Sequence, residues 1–257
     1  MFFDYFDMLS GGAVYMNGVG HLRSPWLHEL KPTVGLGQKG YNLYLNVLSW
    51  DKSRALKYGR LMEYRGIDKL DREELTAYDV ITLIPAMREL CRGVLSFFML
   101  EELTWDDKNR RYAVIASADS HELIGAIDRS NFESVRSAIL QLNYIGLDKD
   151  ETPITHSSER SKELWEKAQE YLKKQAEQSS EGNKPEYRLS NIISKVCSVH
   201  SSYNLLNIYD LTIFQLYDAF FQMSYMRSSN LSERIFSNHG GEKFNFSDWL
   251  KPIQKDV

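Results

Sequence analysis

The stretch AMRELCRGVLSFFMLEELTWDDKNRRYAVIAS, residues 86–117, contains both kinds of regular structure that the chain is predicted to form. Its first half carries apolar residues at helical spacing and predicts a helix that continues after Pro85 has interrupted the preceding one. Its second half predicts two strands around the polar turn 106–110, and ELIGAI at 122–127 predicts a third. We therefore expect an α+β fold that is predominantly α-helical, with small β-hairpins in its N-terminal part.

Upstream of this stretch, the sequence predicts a further hairpin and a short helix. AVYM and VGHLR flank Asn17-Gly18, which is the strongest two-residue hairpin signal. Ser24 followed by Pro25 is typical of a helix start, and that helix should end near residue 31 because Pro32 follows. A helix over 40–50 comes next. Either Asp51 or Ser53 is then placed to cap a short helix in SRALKYGRLMEY.

Downstream, a capping pair predicts where the next helix begins. Ser130 and Glu133 match the capping-box pattern, in which each side chain satisfies the other's backbone N–H. One face of this helix should enter the core, because apolar residues recur on it at helical spacing. They are Phe132, Val135, Ile139 and Leu142.

Composition divides the chain into three predicted parts. Residues 1–150 form an α-rich unit with small β elements. Residues 151–185 are charged and poor in apolar residues, which predicts an exposed helix followed by a linker. Residues 186–257 recover helical periodicity and predict a helical C-terminal unit. It should include the helix IFQLYDAFFQMSYMR, capped by Thr212, and a separate shorter helix, LSERIFSN.

Bulk properties limit the classes of function. The net charge is −4, which gives no global attraction for nucleic acid, and no apolar run reaches the roughly 18 residues that suggest a membrane span. The opening MFFDYFDMLS has no basic segment, so we expect no secretory signal. Cys91 and Cys197 are far apart in sequence and are expected to be free thiols in a reducing compartment. We therefore expect a soluble, cytoplasmic protein.

No recognisable catalytic or metal-binding motif occurs in the sequence. None of the six histidines has catalytic or zinc-ligand spacing, and surface or capping roles are the simpler interpretation. Asp106 and Asp107 are able to help hold a cation, but the basic residues that follow favour a solvated hairpin tip. We predict no catalytic residue, no metal and no cofactor, although residues distant in sequence can still assemble a site.

The segment GLGQKG, residues 35–40, allows two interpretations. It fits the dinucleotide fingerprint G-x-G-x-x-G, in which a buried strand runs into the first glycine and a helix begins at the last. A helical pattern does follow. The preceding WLHELKPTV, however, is too polar for a central parallel strand. The simpler interpretation is a turn between helices, and the alternative is a phosphate site at Gly35, Gly37 and Gly40.

The aromatic stripe in residues 211–226 also has two interpretations. Packing in the core is the simpler one. The other is a docking face for a protein partner, which methionine would suit because its flexible side chain adapts to varied surfaces. If such a face exists, we expect it to include the following residues. They are Phe214, Tyr217, Phe221 and Met226, with Trp249 nearby.

Two segments together resemble a known group of proteins. The opening YFDMLSGGAVYMNGVGHLRSPWLHELKP with GYNLYLNVL, and the later NIYDLTIFQLYDAFFQ with FNFSDWLKP, resemble proteins encoded beside the tape measure protein of tailed bacteriophages. These are usually described as tail assembly chaperones or as phage proteins of unknown function. The similarity extends over about the first 50 and the last 60 residues, and its motifs carry no catalytic chemistry.

The resemblance implies a mainly helical, non-enzymatic protein in the host cytoplasm. It would bind the long tape measure protein, or another tail protein, and keep it soluble during tail morphogenesis. Self-association is a further expectation. An alternative is a phage structural or host-directed adaptor protein, for which countering a host defence is one conceivable role. A third hypothesis is a nucleotide-binding enzyme that uses the 35–40 turn. Nucleic acid and membrane are not expected partners.

Overall fold

The computed structural model describes residues 3–32, 35–62, 64, 66–67, 73–116, 122–145 and 188–239. The chain divides into two compact units: Met1–Gly146 with Asp210–Phe214, and Leu147–Tyr209 with Gln215–Val257. The predicted fold class, α+β and predominantly helical, is confirmed. The three-part division at 1–150, 151–185 and 186–257 stays a prediction, and its middle part lies outside the described residues.

The regular elements follow one another in this order. The first unit contains α1 (Tyr5–Leu9), β1 (Val14–Met16), β2 (Gly20–Leu22), a 3-10 helix (Leu27–Leu30), α2 (Gly37–Leu48), α3 (Lys52–Leu61), α4 (Ala77–Leu83), α5 (Pro85–Phe97), β3 (Glu102–Asp106), β4 (Arg111–Ile115), β5 (Leu123–Ile127) and α6 (Phe132–Leu142). Later in the chain come α7 (Leu189–Val199), a 3-10 turn (Ile208–Asp210) and α8 (Ile213–His239).

Strands β3, β4 and β5 form an antiparallel meander in which Leu103 pairs with Val114, and Val114 in turn with Gly125. Helix α5 packs on β3, and α4 and α2 pack on α5. Pro85 occupies the first turn of α5, where its missing N–H leaves no partner unsatisfied, so the predicted interruption is confirmed. Large side chains from all these layers are fully buried. Among them are Trp50, Met87, Phe98, Tyr112 and Phe132.

The hairpin β1–β2 is held against the meander by backbone contacts. The Ala126 N–H donates to the Gly18 carbonyl over 3.0 Å. Gly125 permits this approach, since a Cβ atom there would lie 2.5 Å from the Gly18 oxygen. The predicted hairpin is thus confirmed, but its loop has three residues, 17–19, rather than two. The reason is Val19, which is buried and lies outside the strand ladder.

Glu101 secures the other side of the hairpin. Its carboxylate accepts the His21 backbone N–H at 2.9 and 3.1 Å, and lies 2.6 Å from Nδ1 of the His21 ring. The Glu101 side chain is buried while His21 is half-exposed. Because a buried carboxylate must be matched by donors, this cluster fixes the position of β2 relative to the chain after α5.

A second long-range pairing joins residues 24–27 to residues 211–214, and we call it the clasp. Leu27 N–H donates to the Leu211 carbonyl and Ile213 N–H to the Pro25 carbonyl, both over 2.9 Å. Phe214 N–H donates to the Ser24 hydroxyl oxygen over 3.1 Å. The clasp therefore fixes the first turn of α8 within the first unit.

The clasp explains why one predicted helix start is wrong. Ser24 was expected to cap a helix, but its oxygen accepts from Phe214 instead, and the helix is a short 3-10 helix that begins at Leu27. Glu29 secures that helix, because its carboxylate accepts the Trp26 N–H over 2.8 Å and both its oxygens contact Arg23.

Other predicted boundaries also need correction. The capping box at Ser130 and Glu133 is wrong, since the Ser130 hydroxyl donates to Asp128 and Asn131 is the residue before the first turn of α6. The core face of α6 is confirmed, and so is the Asp51 cap of α3, which accepts the Arg54 N–H. Helix α2 begins at Gly37 rather than at residue 40.

The two C-terminal helices are in fact one. Helix α8 runs without interruption from Ile213 to His239, through the point where a break was predicted. No proline or glycine lies between residues 226 and 232. Serine and asparagine cost a helix well under 1 kcal/mol each, and once nucleated a helix propagates readily, so the polar run was a weak stop signal. Within the described part of the chain, no helix has the length and apolarity needed to cross a bilayer.

Replacement of Glu101 by alanine is expected to destabilise the protein by about 2–3 kcal/mol, because the His21 N–H would lose its charged acceptor. Urea unfolding followed by circular dichroism measures this as a lower midpoint with an unchanged slope. Glu102→Ala is the matched control, since Glu102 is adjacent and exposed. Equal midpoints for the two variants would contradict the role assigned to Glu101.

Glu29 is expected to make stability depend on pH. Burial opposes its ionisation, but the hydrogen bonds from Arg23 and Trp26 outweigh burial and hold the pKa of Glu29 below its ordinary 4.5. A lowered folded-state pKa stabilises the fold above the ordinary value, and this contribution is lost as the pH falls through the folded-state pKa. Glu29→Gln should therefore unfold at lower urea than the parent at neutral pH, and the difference should shrink in acid. A difference that grew in acid would contradict this assignment.

Candidate functional site

Helix α7 has one buried face and one polar, exposed face. Leu189, Ile192 and Val196 are buried, while Ser194 and Ser198 are exposed on the opposite side. These serines lie four residues apart and so occupy the same face of the helix. Small side chains on an exposed face leave room beside the helix backbone.

The segment after α7 presents two leucines to solvent on a well-braced turn. The Asn207 side chain accepts the Asn204 N–H over 2.8 Å and donates to the Ser202 carbonyl over 2.9 Å. The Asn204 side chain accepts the Leu206 N–H over 2.8 Å. Leu205 and Leu206 between these asparagines are nevertheless 66% and 91% exposed. We call residues 204–207 the leucine turn. Its geometry is fixed although its leucines gain nothing from burial, which is typical of a surface shaped for contact.

A groove of about 450 Å³ lies between α7 and the leucine turn. We call it the serine groove after its α7 side. Its lining residues are Ser194, Cys197, Ser198, Asn204, Leu205 and Leu206. Partial burial raises the pKa of Cys197, which keeps the thiol protonated and a weak nucleophile near neutral pH. The groove thus presents small and uncharged side chains, with a thiol that is mostly protonated.

Helix α8 carries a second apolar surface. Its first turns are buried through Ile213, Phe214 and Leu216, but the side chains that the structure describes beyond residue 219 are half-exposed or exposed. At 100° per residue, four apolar positions fall within about 140° of one another, with Arg227 and Arg234 among them. We call these four the methionine stripe: Phe220, Met223, Met226 and Leu231. Met226 and Leu231 are exposed.

Of the residues predicted for the docking face, the four that the structure describes differ in burial and in their side of α8. Phe214 is fully buried and packs against the rings of Tyr5 and Tyr144, so its inclusion is corrected. Tyr217 and Phe221 are half-buried and their rings stack at 6.4 Å. Met226 lies five positions beyond Phe221, about 140° around the helix. Trp249 lies outside the described residues.

Burial raises the pKa of Tyr217, which is consistent with a side chain that contributes packing rather than a charge. The candidate contact surface of α8 is therefore the methionine stripe rather than the set of residues predicted from the sequence. Met226 is the one predicted residue that belongs to it.

Polar side chains of the first unit form hydrogen bonds and ion pairs with other groups of the same unit. Tyr78 donates to the Arg110 carbonyl over 2.9 Å, and burial raises the pKa of Tyr78 so that it stays a donor. Arg129 pairs with Asp79 over 3.2 Å. Hydrogen bonds from Ser130 hold the pKa of Asp128 below its ordinary range. These groups line a shallow cleft, in which each of these four charges and donors already has a protein partner.

The described histidines and the hairpin tip have protein partners rather than the arrangement of a metal centre. His21 pairs with Glu101, and His200 accepts the Ser202 N–H over 3.2 Å. His121 and His156 lie outside the described residues, as does the side chain of His239. Asp106 accepts from Asn109, and Trp105 donates to Asp107 over 2.6 Å. Across the described ranges, no group of three or more His, Cys, Asp or Glu residues is placed to hold a metal ion.

The 35–40 glycines follow a 3-10 helix at Leu27–Leu30, not a strand, as far as residues up to 32 are described. Gly35 is packed against the Glu29 carbonyl, which a Cβ atom would strike. Gly37 has φ 70 at the start of α2. Close packing and a positive φ therefore account for two of the three glycines, in agreement with the interpretation of the motif as a turn.

Two features of the site escaped sequence reasoning. The leucine turn has a local signal, because two asparagines bracket Leu205 and Leu206, and asparagine side chains readily close turns. The methionine stripe has a periodic signal, since Phe220, Met223 and Leu231 follow i, i+3 and i+11 spacing. That period is visible only when residues 213–239 are treated as a single helix.

Comparison with known proteins places a phage-associated domain in this region. Residues 178–254 match the family described as the YomV second domain. This match contains α7, the leucine turn and α8. No curated protein and no solved structure matches the chain. The similarity therefore concerns the C-terminal part of the chain and indicates a phage-encoded protein.

Asn207→Ala is expected to loosen the leucine turn, because one side chain supplies both an acceptor and a donor. Loss of these bonds should lower the local opening free energy by about 1–2 kcal/mol. Hydrogen exchange at the Asn204 and Leu206 amides should accelerate roughly 5–30-fold. Ser201→Ala, at an exposed position nearby, is the control. Unchanged exchange in Asn207→Ala would show that the turn is braced by something else.

Proposed function

We infer that the chain is a phage tail assembly factor that acts by binding another polypeptide and performs no catalysis. The methionine stripe is the observation that carries this inference, because it exposes apolar side chains on an ordered helix in the region similar to a phage-associated domain. Large apolar side chains on ordered surfaces are typical of interaction sites.

The proposed partner is an amphipathic helix of a tail protein, with the tape measure protein as the leading case. From Phe220 to Leu231 the stripe extends about 17 Å along α8, which is three helical turns of a partner lying beside it. Methionine side chains adapt to different apolar neighbours, so one stripe can bind several segments of a long client.

Arg227 and Arg234 give the stripe a preferred partner charge. Both are exposed and, at 100° per residue, both lie between the apolar positions. Acidic residues flanking the apolar face of a client helix would be attracted to them, and such rim charges mainly speed association. Contacts of this size are weak individually, which permits release when the tail tube assembles around the client.

The experiment is co-expression of the full chain with the tape measure protein in the host cytoplasm. The tape measure protein is expected to remain soluble and to co-purify. Mass spectrometry of purified particles should then find the factor absent, whereas a structural component would be retained. A tape measure protein that precipitates equally with and without the factor would contradict the proposal.

Leu231→Asp, alone or with Met226→Asp, is expected to weaken client binding by roughly 10–100-fold, because each change places a charge in an apolar contact. Affinity for a purified tape measure fragment, measured by calorimetry, is the readout. Leu61→Asp is the matched control, since Leu61 lies in the first unit at 69% exposure, against 60% for Leu231. An equal loss of affinity in the control would place the binding site elsewhere.

A further inference from the structure

The leucine turn and most of the residues that line the serine groove lie in a run of the sequence without charged side chains. Residues 196–209 contain no Asp, Glu, Lys or Arg, although 26% of the chain is charged. The run is bounded by Lys195 and Asp210 and includes one histidine, His200. Exposed segments usually carry charges that keep a protein soluble, so an ordered, exposed and uncharged segment is a candidate contact surface.

Neutrality has a specific meaning for contacts between identical molecules. Around a two-fold axis the same patch of each copy contacts the other, so a charged side chain near the axis lies close to the identical, like-charged side chain of the second copy. The chain has a net charge of −4, and two copies therefore repel each other over much of their surface. A neutral patch is where this repulsion is least, whereas a charged partner would favour complementary charges that the patch does not have.

The patch also combines a protruding and a receiving part. Leu206 stands out from the turn at 91% exposure. The serine groove beside it is lined on its α7 side by the small residues Ser194, Cys197 and Ser198. A leucine inserted between small residues of a helix is the geometry by which knobs fill holes in helical assemblies.

We propose that two copies of this chain associate about a two-fold axis, with Leu206 of each copy inserted into the serine groove of the other. Leu205 and Val199, also exposed, would lie at the edge of this contact. The contact is small, so a dissociation constant in the micromolar range is expected. It uses residues distinct from the methionine stripe and does not depend on the proposed function.

Sedimentation equilibrium of the full chain, measured over a range that includes about 10 μM, tests the proposal. The parent should approach a dimer as concentration rises. Leu206→Asp should raise the dissociation constant at least about 100-fold, because two carboxylates would be buried without partners. Leu231→Asp is the matched control, an equally drastic change at an exposed leucine outside the patch, and should dimerise like the parent. A parent that stays monomeric, or a Leu206→Asp variant that still dimerises, would overturn the proposal.

Cys197 gives a second measurement that needs no variant. It lines the groove, so its alkylation by a maleimide should slow as the parent concentration rises through the dissociation constant. Cys91 acts as the internal reference, because it is buried and burial raises its pKa to about 12. Alkylation of Cys197 at one rate throughout the concentration range would exclude the proposed contact. Loss of client binding in Leu231→Asp without loss of dimerisation would separate the two surfaces.

Discussion

The clasp between residues 24–27 and 211–214 is the constraint that holds together the two distant parts of the sequence that form the first unit. Three backbone donors and one serine oxygen join segments separated by about 185 positions, and Phe214 is buried at the point where they meet. Because these groups are removed from water, each must find a protein partner, and the clasp supplies them reciprocally. The beginning of α8 is thereby fixed by the N-terminal unit, so residues 24–27 and 211–214 are neighbours in space although they are far apart in the sequence.

Local signals were sufficient for much of the fold. The turn between β3 and β4, the interruption at Pro85 and the apolar face of α6 all follow from a few consecutive residues, and all were predicted. Ser24 could not be assigned correctly in this way, since its partner Phe214 is 190 positions away. The continuity of α8 was missed for a different reason, because serine and asparagine disfavour a helix too weakly to end one.

The candidate site also shows what local sequence signals do not determine. An aromatic stripe was recognised in residues 211–226, but periodicity alone does not say which side of a helix is covered. Burial in the structure places Phe214 in the core and leaves Met226 exposed. The C-terminal region then has two unlike surfaces, one flanked by arginines on α8 and one without charge at the leucine turn. A charged surface favours a partner of opposite charge, while an uncharged surface does not electrostatically repel an identical copy.

Separation along the chain also has a consequence for biosynthesis. A ribosome adds roughly 5–20 residues per second, so about 10–40 seconds pass between the emergence of Leu27 and that of Leu211. During this interval the Ser24 hydroxyl and the Pro25 carbonyl lack the partners that residues 213 and 214 supply in the folded structure. Contacts of such long range slow the formation of the native state. The first unit is thus completed only after residues 210–214 have been synthesised, long after the rest of that unit.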